Sequence, residues 1–111
     1  MFKENVIKNK NKRDFEKKHR LKVLALRNKF LGEWASNILG LNDLQKKKYI
    51  TRVTKSEICD ADYKIIIKDI EKDFKKKDIK ISSREIEFKI KDFQLKANVI
   101  IENKLKLNTL S

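Results

Sequence analysis

The chain has 111 residues, a formal net charge of +13, two Gly, no Pro and one Cys. That length suits one domain with a real core, burying roughly two-thirds of the unfolded surface. The lone Cys59 excludes an internal disulfide and a thiol-rich metal site, and the scarcity of Gly and Pro disfavours turn-rich β architectures.

Residues 1–20 carry eight Lys or Arg against three Asp or Glu, and their only apolar residues are Met1, Phe2, Val6, Ile7 and Phe15. So little apolar surface does not offset the entropy of ordering, so the segment reads as a flexible arm, disordered when free. Having no Pro or Gly, it can become helical on a partner.

A stable helix is expected from about Leu21 to Leu39. Val23, Leu24, Phe30, Leu31, Trp34, Ala35 and Ile38 fall on one broad arc at 3.6 residues per turn, wide enough for more than one neighbouring helix. Gly32 lies inside it at a cost of about 1 kcal/mol relative to Ala, which a close backbone approach by another helix would offset. Arg27 also lies within the arc. Two readings stand: a buried guanidinium with partners, or, more commonly, a stem along apolar surface with its head in water. Gly40 occupies the place of a left-handed C-terminal cap, with Leu41 for the hydrophobic contact.

Asn42 and Gln45 form a capping-box pattern for a second helix reaching about Lys55, whose buried residues are expected at Tyr49, Ile50 and Val53. Residues 56–59 connect, and Asp60 is the expected cap of the third helix. There Tyr63, Ile66, Ile67, Ile70 and Phe74 repeat at i, i+3, i+4, i+7 and i+11, the cleanest amphipathic stripe in the chain. Ser82 and Glu85 open the fourth helix, with Ile81 and Ile86 as a staple. It carries Ile86, Ile90, Phe93, Ala97, Ile100 and Ile101 on one side. Phe88, Leu95 and Val99 lie off that stripe, placed for a second neighbour. After about Asn103 the pattern loosens. The sum is an all-α chain: a flexible basic arm at 1–20, a four-helix bundle at 21–104 and a frayed tail at 105–111.

No catalytic constellation emerges. His19 is the one histidine, in the charged arm, so neither a triad nor a His-based metal site is supported. Neither G-x-x-x-x-G-K nor G-x-G-x-x-G can be drawn from Gly32 and Gly40, so the chain is expected to hydrolyse no ATP and to need no cofactor or metal. No run approaches the roughly 20 apolar residues that span a bilayer, and no apolar signal region opens the chain, so a cytoplasmic location is expected.

The basic charge suggests nucleic acid or a membrane surface. Lysine, however, supplies 24 of the 29 basic residues, and Lys, Ile and Asn make up 47 of the 111, a bias that an AT-rich coding sequence produces by drift. Arg, suited to bidentate phosphate recognition, occurs five times, and no platform of stacking aromatics accompanies the arm.

The spelling Arg27-Asn28-Lys29-(apolar)-Leu31-Gly32-x-Trp34-Ala35, then Gly40-Leu41 and later Tyr49 and Val53, resembles the zeta subunit of the alphaproteobacterial F-type ATP synthase, over nearly the whole chain and most densely from Arg27 to Val53. The resemblance implies a non-catalytic four-helix bundle with a flexible arm, monomeric when free. It also implies a partner, the catalytic head of the synthase with its alpha, beta and gamma subunits, and so peripheral association with the inner membrane. In that family the arm turns helical as it wedges at a catalytic interface near the rotor and blocks ATP hydrolysis. Residue types match the family at Phe2, Glu4, Lys12, Glu16, Arg20 and Lys22, and with Ile7 and Phe15 these form the implied inhibitory arm. Positions 8–14, Lys-Asn-Lys-Asn-Lys-Arg-Asp, depart from it. They hold no apolar anchor, and the departure implies weakened inhibition. The competing readings are a small basic nucleic-acid-associated helical protein and a bundle that docks without inhibiting.

Overall fold

The computed structural model describes the backbone at residues 2–55 and 63–110, and side chains at 13–55 and 63–107. Four helices follow in order: α1 (Phe2–Ile38), α2 (Asp43–Lys55), α3 (Lys64–Lys76) and α4 (Ser83–Leu110). There is no strand among the described residues. Helix α1 packs against both α2 and α4, and α3 lies on α4.

The core forms where the apolar stripes predict it. Leu31 and Ala35 of α1, Tyr49 and Val53 of α2, Ile66, Ile70 and Phe74 of α3, and Ile86 and Ile90 of α4 make one buried cluster, with Trp34, Tyr63, Ile67 and Phe93 partly buried against it. Removing a large aliphatic side chain of this kind from water contributes about 1.5–3 kcal/mol. The indole of Trp34 meets the Phe74 ring edge-on, with centroids 5.8 Å apart.

Capping chemistry fixes the corners. Gly40 has φ +68°. Its N–H donates to Asn37 O and that of Leu41 donates to Ser36 O, the two bonds of a Schellman motif. Asn42 and Gln45 then cap α2 reciprocally: the Gln45 N–H donates to Asn42 Oδ1 at 2.8 Å, and the Asn42 N–H donates to Gln45 Oε1 at 3.1 Å. At the start of α4 the Glu85 N–H donates to Ser82 Oγ at 3.2 Å.

Three features differ from the sequence expectation. Helix α1 begins at Phe2, not near Leu21. Nothing in the first twenty residues breaks a helix, and Lys, Glu and Arg are good helix formers. What changes near residue 20 is burial: residues 13–18 are exposed, and Val23 is the first buried residue among the described side chains. Helix α4 likewise runs to Leu110, past the expected loosening near Asn103. The third difference is Arg27. It is 1% exposed, so its head lies within the bundle and not in water. The expected cap Asp60 and Cys59 lie outside the described residues.

Candidate partner-binding site

The implied site has two parts, an arm that meets the partner and a motif beneath it. Of the arm residues, Phe2, Glu4, Ile7 and Lys12 lie outside the described side chains. Glu16, Arg20 and Lys22 are exposed on α1, and Phe15 is 55% exposed, its ring stacked on that of His19 at 6.3 Å. The base of the arm meets the far end of α4. Phe15, Lys18, His19 and Lys22 face Ile101, Lys104 and Leu105 across a cleft of about 190 Å³. Its lining mixes the apolar Phe15, Ile101 and Leu105 with the basic Lys18, Lys22 and Lys104.

The motif residues are structural. Leu31 and Ala35 are fully buried, as is Asn28. A Cβ on Gly32 would lie 3.0 Å from Ile50 Cα, so glycine is what lets α2 approach α1 this closely. Arg27 Nε donates to Asn28 Oδ1 at 3.0 Å and Nη1 donates to Gln94 Oε1 at 3.2 Å, while its guanidinium lies 5.7 Å from the Tyr63 ring centroid. Nη2 is buried without a hydrogen-bond partner. Burial pulls the Arg27 pKa below its ordinary value, partly countered by Tyr63. One guanidinium thus ties α1 to α4 and to the entry of α3.

A second polar cluster escapes sequence reasoning. The Tyr49 hydroxyl donates to Asp73 Oδ2 at 3.1 Å, and Arg52 Nη2 donates to the same oxygen at 2.6 Å. Arg52 also stacks 4.8 Å from the Tyr49 ring centroid. Burial, and then the Asp73 charge, push the Tyr49 pKa well above its ordinary value. The partners are 21 and 24 residues apart, and neither spacing carries a signal. Just past the end of α3 the Lys77 ammonium donates to Leu39 O at 2.6 Å, closing the C-terminal end of α1.

No group of three His, Cys, Asp or Glu among the described residues is placed to hold a metal, and among them no helix is long and apolar enough to cross a membrane. Lys68, Lys72, Lys75 and Lys76 surround Glu71 on the outer side of α3, with Lys75 paired to Glu71 at 3.0 Å.

The family described as ATPase inhibitor subunit zeta matches residues 2–99. The chain belongs to that family. Comparison with curated proteins and with solved structures returned no match. The zeta match takes in the residues of the arm as well as those of the bundle. Members of an ATPase inhibitor family are regulatory.

Proposed function

We propose that this zeta-family chain binds the catalytic head of an F-type ATP synthase and blocks ATP hydrolysis through its N-terminal arm. The observation that carries the reading is the family match, which extends through the arm to residue 2. The arm suits the role. It continues α1, whose second half is rooted in the core, so a load on its outer part is transmitted along α1 to the Arg27 and Gly32 contacts. Its described side chains at 13–18 are exposed, and Phe15 offers an aromatic anchor.

In this reading the arm enters a catalytic interface among the alpha, beta and gamma subunits, and stabilises one rotor position against hydrolytic rotation. The protein then works in the cytoplasm, at the inner membrane through the synthase. The basic stretch at 8–14 has no apolar anchor, so inhibition is weaker than in a family member that has them.

Titration of the full chain, and of a version lacking residues 1–20, into purified cognate synthase tests this. The full chain is expected to lower the rate of ATP hydrolysis, and the shortened one to leave it unchanged. Binding by the full chain with no change in rate would leave a docking bundle in place of an inhibitor.

A further inference from the structure

The cleft at the base of the arm is built from opposite ends of the chain. Phe15, Lys18, His19 and Lys22 share one face of α1, at i, i+3, i+4 and i+7, and Ile101, Lys104 and Leu105 share one face of α4, at i, i+3 and i+4. Two chemistries meet across it. Phe15, Ile101 and Leu105 supply apolar surface, with the His19 ring stacked on that of Phe15. Lys18, Lys22 and Lys104 supply three ammoniums, and no carboxylate is among the lining residues. Asp14, Glu16 and Glu102, the acidic neighbours in sequence, lie roughly a quarter turn from the middle of these faces. None of the three ammoniums has an ion pair or hydrogen bond with a described residue. Like charges facing one another across a gap repel, and an anion set between them replaces each repulsion by an attraction.

Size narrows the occupant. The cleft holds about 190 Å³. It follows α1 for roughly 10 Å, at 1.5 Å per residue, and α4 for little more than one turn. A partner helix with its side chains is about 10–12 Å across, too wide for such a space. Inorganic phosphate would pair the lysines and leave the apolar lining uncovered, whereas a neutral hydrocarbon would cover that lining and leave the lysines unpaired. A short apolar chain carrying one negative charge satisfies both.

We propose that this cleft is a binding site for a small amphiphilic anion, a medium-chain carboxylate such as octanoate. Its chain lies on Phe15, Ile101 and Leu105, and its head meets the ammoniums of Lys18, Lys22 and Lys104. By pairing with lysines of both helices at once, the bound anion ties the base of the arm to the end of α4. The binding step stands whether or not the chain inhibits a synthase.

The test is a titration of the isotope-labelled full chain with sodium octanoate below its micelle concentration, followed by amide chemical shifts. Saturable shifts in the millimolar range are expected at residues 15–22 and 101–105. Hexanoate, two methylenes shorter, is expected to bind at least about threefold more weakly, and acetate and octanol not to saturate the cleft. Lys22→Gln combined with Lys104→Gln is expected to keep the unfolding midpoint and weaken octanoate at least about tenfold. Amide exchange at residues 13–20 is expected to slow under saturating octanoate. Shifts that acetate reproduces and that spread over the other lysine-rich faces would reduce the effect to counter-ion association and overturn the site. Octanol binding as tightly as octanoate would overturn the choice of an anion. Binding of the parent to phosphatidylglycerol vesicles, lost in the double variant and without saturation by octanoate, would assign the cleft to a membrane surface and overturn the proposal. Unchanged exchange at residues 13–20 would overturn the tie between the arm and α4.

Discussion

Gly32 shows how one missing side chain sets a helix contact. Alanine there gains about 1 kcal/mol of helix propensity, but its Cβ would meet the Ile50 backbone at 3.0 Å. Overpacking against backbone typically costs 1–3 kcal/mol, and a helix axis yields less readily than a side-chain tip. The clash wins. Gly32→Ala is expected to destabilise the protein by about 1 kcal/mol in urea unfolding followed by circular dichroism. A more stable variant would mean that α2 can move away from α1 at little cost. The glycine was readable from sequence as a cost needing an explanation. Arg27 was not readable in the same way, because snorkelling and burial leave the same spacing in the chain. What decides for burial is Gln94, 67 residues away, whose carboxamide oxygen accepts from the guanidinium.

At the scale of elements, short-range rules carry far. The stripe of α3, the reciprocal Asn42–Gln45 cap and the Gly40 turn all follow from spacings of three to five residues, and each is realised. The end of α3 shows the same turn without glycine. Asp78 has φ +58°, with its N–H donating to Lys75 O and that of Ile79 donating to Phe74 O. Aspartate tolerates the left-handed region better than most residues but still pays for its Cβ there. Asp78→Gly is therefore expected to stabilise the protein by about 0.5–1 kcal/mol, measured by the same unfolding experiment. Lower stability would point to a role for the Asp78 carboxylate beyond the turn. Sequence reasoning stops where an element's length depends on distant company. The base of the arm gains Ile101, Lys104 and Leu105 as neighbours from the other end of the chain, and local composition holds no trace of that pairing.

For the molecule as a whole, the division is between buried and exposed lengths of one helix. From Val23 onward α1 contributes to the core, whereas at residues 13–18 its side chains are exposed and meet only the cleft against the end of α4. Backbone hydrogen bonds without buried neighbours open readily, so the two halves should differ in local stability despite their shared geometry. An arm of this kind orders at low cost on a partner, because its helix is already continuous with a fixed root. The family was legible only in the spelling of residues 27–53, not in charge or periodicity, since any basic amphipathic bundle would share those. The most direct measurement is amide hydrogen exchange along α1, with and without the purified catalytic head. The account predicts fast exchange at residues 13–20 and strong protection from Val23 to Ile38 in the free protein, with residues 13–20 becoming protected when the head is added. Exchange at 13–20 that the head leaves unchanged, or that is already as slow as in the core, would contradict it.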